Sequence, residues 1–90
     1  MNKRTIMLAV CSWLSEWIKG AEFSIINTKL GYVSCEHDNN ADMSLLKEFG
    51  IKVPPHYEEK HWAEGVSEFA FFLTNENVIN IVAHAKRLKG

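Results

Sequence analysis

His56-Tyr57-Glu58-Glu59-Lys60-His61-Trp62-Ala63-Glu64-Gly65-Val66-Ser67-Glu68-Phe69-Ala70-Phe71-Phe72-Leu73 is the stretch on which the fold of this 90-residue chain turns. At about 100° per residue, Trp62, Val66, Phe69 and Leu73 fall on one side of a helix, joined by Ala63 and Ala70. That spacing predicts a helix starting at His56 or Tyr57 and reaching Leu73. Its other side carries Tyr57, His61, Glu64, Glu68, Phe71 and Phe72. Either neighbouring elements cover Phe71 and Phe72, making this the central helix, or part of that side is exposed. In the second case aromatic rings beside carboxylates form a binding surface, since interfaces favour aromatic anchors with a polar rim. A strand over 68–73 is the competing assignment, with Phe69, Phe71 and Leu73 on one face. Gly65 would then mark the break, because glycine costs about 1 kcal/mol relative to alanine inside a helix.

The flanking segments are simpler. Residues 3–19 predict an amphipathic helix, with Ile6, Val10, Trp13 and Trp17 on one stripe that Met7, Cys11, Leu14 and Ile18 widen. Gly20 is placed to terminate it. Phe23, Ile25, Ile26, Tyr32, Val33 and Cys35 favour extended structure around a turn at 27–31, so a short hairpin is expected with strands near 22–27 and 32–36. The polar run His37-Asp38-Asn39-Asn40 leads to a helix over about 41–49, capped by Asn40 or Asp42 and closed by Gly50. Pro54 and Pro55 hold 51–55 extended. A last helix, 76–88, follows Thr74 and Asn75 as N-caps and buries Val78, Ile81, Val82, Ala85 and Leu88. The expected fold class is therefore mainly α: one small domain over residues 1–90, with about four helices and a hairpin near 22–36. An α+β arrangement is the alternative.

The formal net charge of -1 conceals a segregation. Lys3, Arg4, Lys86, Arg87 and Lys89 stand at the two ends with no acid among them. Residues 5–35 are balanced. Residues 36–85 carry Glu36, Asp38, Asp42, Glu48, Glu58, Glu59, Glu64, Glu68 and Glu76 against Lys47, Lys52 and Lys60. Such an acidic stretch attracts a basic partner, or is an ordinary solvated face. The lack of a basic excess argues against direct nucleic-acid binding. A 47% apolar content with almost no net charge argues against disorder. Lys3 and Arg4 precede a mostly apolar run, but no small-residue cleavage site follows, and Trp13, Glu16 and Trp17 occupy its place. The run is too short for a membrane span, which needs about 20 residues. A cytoplasmic location is expected, with no membrane partner and with Cys11 and Cys35 reduced.

Few residues carry the marks of chemistry. A metal site would draw on Cys35, His37, His56 and His61, with Cys11 and His84 in reserve. Cys35 and His37 share a strand face, but His56 and His61 diverge by about 140° on a helix. The run from His56 to His61 has the pattern H-x-x-E-x-H, which matches neither H-E-x-x-H nor H-x-x-E-H. Glu64 and Glu68 stack four apart on a helix, slightly unfavourably, which suits an interaction surface better than an acid–base pair. No glycine-rich phosphate loop is present, and no cofactor is expected.

These features predict a non-enzymatic protein-binding protein. An inhibitor or toxin-neutralising immunity protein has this profile: small, poor in sites, and acidic along one segment. Its partner would be a protein with a basic surface, such as a toxin or nuclease. The partner-binding residues expected are Glu36, Asp38, Tyr57, Glu58, Glu59, His61, Glu64, Glu68, Phe71 and Phe72. Two alternatives are a small metal-binding or thiol-based regulator using Cys35, His37 and His56, and a homo-oligomeric adaptor or enzyme subunit. A homodimer is compatible with all three.

Overall fold

The computed structural model describes residues 2–90 and corrects the expected class. The chain is α+β, not a four-helix domain. In order it forms α1 (Lys3–Trp17), β1 (Ala21–Asn27), β2 (Tyr32–Asp38), α2 (Ser44–Glu48), a 3-10 turn at His56–Glu58, β3 (Lys60–Ala63), β4 (Val66–Phe72) and α3 (Asn75–Lys89). The strands make one antiparallel sheet in the order β1-β2-β4-β3.

The helix expected over 56–73 is instead a 3-10 turn followed by two strands. Ser67, Phe69 and Phe71 are buried at every second position, while Ala70 and Phe72 are exposed. Period two, not the helical period, is satisfied once these rings pack on a sheet. Glu64 and Gly65 form the turn between β3 and β4, with Gly65 at a φ of 80°. No other non-terminal residue of that turn has positive φ, so it is not of the twist-matched type I′. The pairing of β3 is correspondingly irregular between His61 and Ala63.

The hairpin expected near 22–36 is present as β1 and β2, and β4 joins it at the sheet centre. Leu73 donates its backbone N–H to Gly31 at 2.7 Å, which fixes the end of β4 against the β1–β2 turn. Helix α1 is capped by Asn2, whose side chain accepts from Thr5 N. It buries Met7, Val10, Cys11 and Leu14 against one face of the sheet, where Phe23, Val33, Cys35, Phe69 and Phe71 meet them. Phe23 and Phe71 contact edge to face at 6.3 Å, a favoured aromatic geometry.

Helix α2 is shorter than expected; Met43 is its N-cap, and Asp42 accepts from Ser44 N just before it. Helix α3 starts at the expected place, with Thr74 and Asn77 forming a reciprocal capping box. Asn77 is buried and also donates to the carbonyl of Phe49 at 2.8 Å, tying α3 to the segment after α2. Both α1 and α3 begin at the same end of the sheet: Lys3 Nζ donates to Lys29 O, and α3 follows Leu73 directly. Their far ends meet where Trp17 packs on His84 at 4.7 Å.

The two sheet edges are guarded differently. On β1, the outward N–H of Phe23 donates to Ser15 Oγ at 2.9 Å and that of Ala21 to Ile18 O at 3.2 Å. The opposite edge, β3, has four residues and a bulge, and opens with a lysine. Both are devices that discourage strand addition. Among the described residues, no helix is long and apolar enough to cross a membrane.

Candidate functional site

The helices cover one face of the sheet, and the other face is open. Strand alternation puts Glu22, Ser24 and Ile26 of β1, Glu36 and Asp38 of β2, and Ala70 and Phe72 of β4 into solvent. The register aligns four of the side chains on this face into a row across every strand. Glu22 pairs with Glu36, Glu36 with Glu68, and Glu68 with Lys60. Three carboxylates thus stand directly opposite one another, about 4.8 Å apart in strand spacing. Like charges in this position destabilise a sheet.

Beside the row lie rings. Tyr32 and Phe72 pair across β2 and β4 with centroids 4.7 Å apart. Phe72 is 59% exposed and Trp62 57%, both on this face. The Trp62 indole N–H donates to Glu68 Oε1, and Lys60 Nζ lies 3.8 Å over the Trp62 ring. Ser34, the next residue along β2 on this face, donates to Glu68 Oε2. These contacts hold the Glu68 carboxyl below the usual carboxylate range, with the Ser34 hydroxyl first, the Trp62 indole second and the Lys60 charge a smaller cause. At the end of the row a hollow of about 460 Å³ opens between β1, β2 and α1, with Glu22, Glu36 and Asp38 on its wall beside Ser15, Gly20 and Val66.

The ten expected partner-binding residues are therefore divided. Glu36, Asp38, Glu68 and Phe72 share the open face. Tyr57 and Glu58 are exposed on the 3-10 turn, and Glu64 on the β3–β4 turn. Phe71 is buried in the core, because its strand neighbour Phe72 takes the outward position. Glu59 is buried too, and His61 points to the covered side, where its Nδ1 lies 2.9 Å from Ser67 Oγ. Glu22, Tyr32 and Trp62 of the open face lay outside the expected set. The apolar–polar alternation of β1 and β2 marks the first two; Trp62 is revealed only by the bulge in β3.

The covered side of β3 holds a second group of polar residues. His37, on β2, places Nε2 2.7 Å from Glu59 Oε1, and its Nδ1 donates to Asp38 O at 2.9 Å. His56 Nδ1 reaches Glu59 Oε2 at 3.2 Å. Ser67 Oγ donates to Asn39 Oδ1 at 2.7 Å, so His61 Nδ1 must donate to Ser67. The four residues considered as metal ligands are not brought to a common point. Both nitrogens of His37 are engaged, and Cys35 faces the core. Among the described residues no group of three or more histidine, cysteine or acidic side chains is arranged to hold a metal ion. Burial pushes the Cys35 thiol up to about 12, helped by Glu59 and Glu68, and the Cys11 thiol up to about 11. Neither is a thiolate near neutral pH, so neither has the character of a nucleophile.

Comparison of the chain with family models, with curated proteins and with solved structures finds no match in any of the three.

Proposed function

We propose that the protein binds a basic segment of another protein on the open face of its sheet and blocks that segment from its own anionic ligand, without catalysing a reaction. The observation that carries this is the row Glu22–Glu36–Glu68 flanked by Tyr32, Phe72 and Trp62. Aligned carboxylates cost the sheet stability, and a cationic partner converts that cost into attraction. The spacing favours a helix lying across the strands. The carboxylates repeat at about 4.8 Å and a helix rises about 5.4 Å per turn, so Lys or Arg at successive turns meet successive glutamates. The hollow beside Glu22, Glu36 and Asp38 suits the head of one such side chain. Strand addition is the poorer mode, because both sheet edges are guarded. A toxin or nuclease whose anion-binding groove includes a basic helix is the partner class that fits, as for an immunity protein.

A lysine- and arginine-rich helical peptide, with an acidic peptide of equal length as control, tests the placement. Titration followed by NMR should shift residues 22, 32, 36, 68 and 72 for the basic peptide alone. Binding should weaken steeply as salt rises. Glu22→Gln with Glu36→Gln should lower affinity about fivefold, taking about 0.5 kcal/mol for each exposed pair. Shifts confined to the helices, or affinity unchanged in the double variant, would refute this surface.

A further inference from the structure

Residues 54–64 form a strap along the outer side of β4, made of the 3-10 turn and β3. Its only buried residue is Glu59. Around it, residues 55–58 and 60–64 are exposed and the β3 pairing is interrupted. Beyond the β3–β4 ladder and the His61–Ser67 contact, one buried side chain fastens the strap to the covered face of the sheet. What it meets there has a specific proton requirement. The Asp38 carbonyl can only accept, so that contact is a hydrogen bond when His37 Nδ1 carries the hydrogen. His37 Nε2 then faces a carboxylate oxygen at 2.7 Å, with His37 6% and Glu59 3% exposed. Both contacts are hydrogen bonds at once only if the pair holds one further proton. Without it one of the two is lost, and a ring lone pair faces either the Asp38 carbonyl or the buried carboxylate.

We infer that the His37–Glu59 pair is a proton-dependent fastener that closes the β3 strap when protonated, and that closure masks Glu68 on the open face through Trp62 and Lys60. The link is geometric: Glu59, just before β3, and His61 lie on the covered side, and Lys60 and Trp62 on the open one. When the strap lifts, Trp62 and Lys60 leave Glu68, and the third carboxylate of the row becomes free. The inference rests on the open face being the binding site only in this last consequence; the fastener itself does not depend on it.

The surroundings do not reverse the sign. His56 and His61 each face their acceptor with Nδ1 alone and are satisfied as neutral rings. The Cys35 thiol stays protonated. Phe69 packs edge-on against His37 at 5.7 Å and carries no charge. The other charged groups nearby are Glu22, Glu36 and Asp38, around the hollow, and Lys60, next to Glu59 in the chain. With both contacts made, the closed strap holds one more proton than an open strap with a neutral His37, so raising pH favours opening, by up to about tenfold per pH unit.

Amide-exchange protection, corrected for intrinsic rates, tests this on the free protein between pH 6 and 9. Protection at residues 60–63 should fall as pH rises, while protection in β1 stays level. Glu59→Gln should reverse the trend. Its amide donates to neutral His37 Nε2 and its carbonyl accepts from His56, so this strap is fastened at high pH and loosens as pH falls through the histidine range. His37→Gln supplies a donor that does not titrate and should remove the trend. Level protection in the wild-type protein, or the same slope in all three, would overturn the fastener. The basic peptide then reads the second step: its affinity should rise with pH for the wild-type protein and not for His37→Gln. If the strap moves but no peptide binds at any pH, the proposed surface fails and the fastener stands. If peptide binds with the same pH profile to both proteins, the masking of Glu68 is refuted.

Discussion

Glu36 has a carboxylate directly opposite it on both neighbouring strands. No other residue of the open face is placed so unfavourably. Replacing it with glutamine removes two like-charge pairs, each worth about 0.2–1 kcal/mol. Glu36→Gln should therefore raise thermal stability by several degrees, taking about 4–8 °C per kcal/mol for a domain of this size. A thermal melt measures it, and a stability that falls would show that the row is not repulsive. Glu68 is the contrasting case, since Ser34 and Trp62 stabilise its ionised form. Its carboxyl titrates lower in the folded than in the unfolded state. The stabilisation is therefore complete above the ordinary carboxylate range, about pH 4.3, and is lost as pH falls through the folded value. Ser34→Ala removes the largest cause. NMR titration of the Glu68 carboxyl should move back towards the ordinary value, and the stability gap to the wild-type protein should close in acid.

At the scale of elements, β4 decides the architecture. On a helix Phe71 and Phe72 would share one side; on β4 they take opposite faces of the sheet. Phe71→Ala should cost about 3–5 kcal/mol, the range for emptying a buried ring site. Phe72→Ala should stay within about 0.5 kcal/mol, as exposed positions do. Chemical denaturation separates the two, and equal costs would contradict the strand. The same pair shows why sequence periodicity misled. Trp62, Val66, Phe69 and Leu73 recur at helical spacing, whereas one buried member of the strand pattern, Ser67, is polar and leaves no hydrophobic mark. Long-range pairing with β2 selects period two, and no local rule contains it. Capping chemistry was legible where it is local: Thr74 before α3 and the terminating Gly20 and Gly50. The link between acidic residues and rings was legible as composition. Its true face was not, because Glu22 and Glu36 meet only through strand register, and Glu59 looks like any solvated glutamate until His37 is placed beside it.

Across the whole molecule, helices lie on one side of the sheet and the carboxylate row on the other. The basic residues flanking the chain do not merge into one patch. Lys3 is tied to the β1–β2 turn, where α3 also begins, while Lys86, Arg87 and Lys89 occupy the last turn of that 15-residue helix. A helix of that length spans about 22 Å, so the two cationic groups sit well apart. Those three residues complement the dipole of α3 and leave the open face its acidic character.

The central position of β4 also sets an order of events during synthesis. Ser15, which caps the outer edge of β1, precedes that strand in the chain, so its guard is made before the strand needs it. The inner edge of β2 has no such protection. Its partner ends 34 residues after β2 does, which at ribosomal speeds of about 5–20 residues per second leaves that edge waiting for roughly 2–7 s. A nascent chain stalled before residue 66 would present β2 as an unpaired template, and that is the stage at which a chaperone has most to protect.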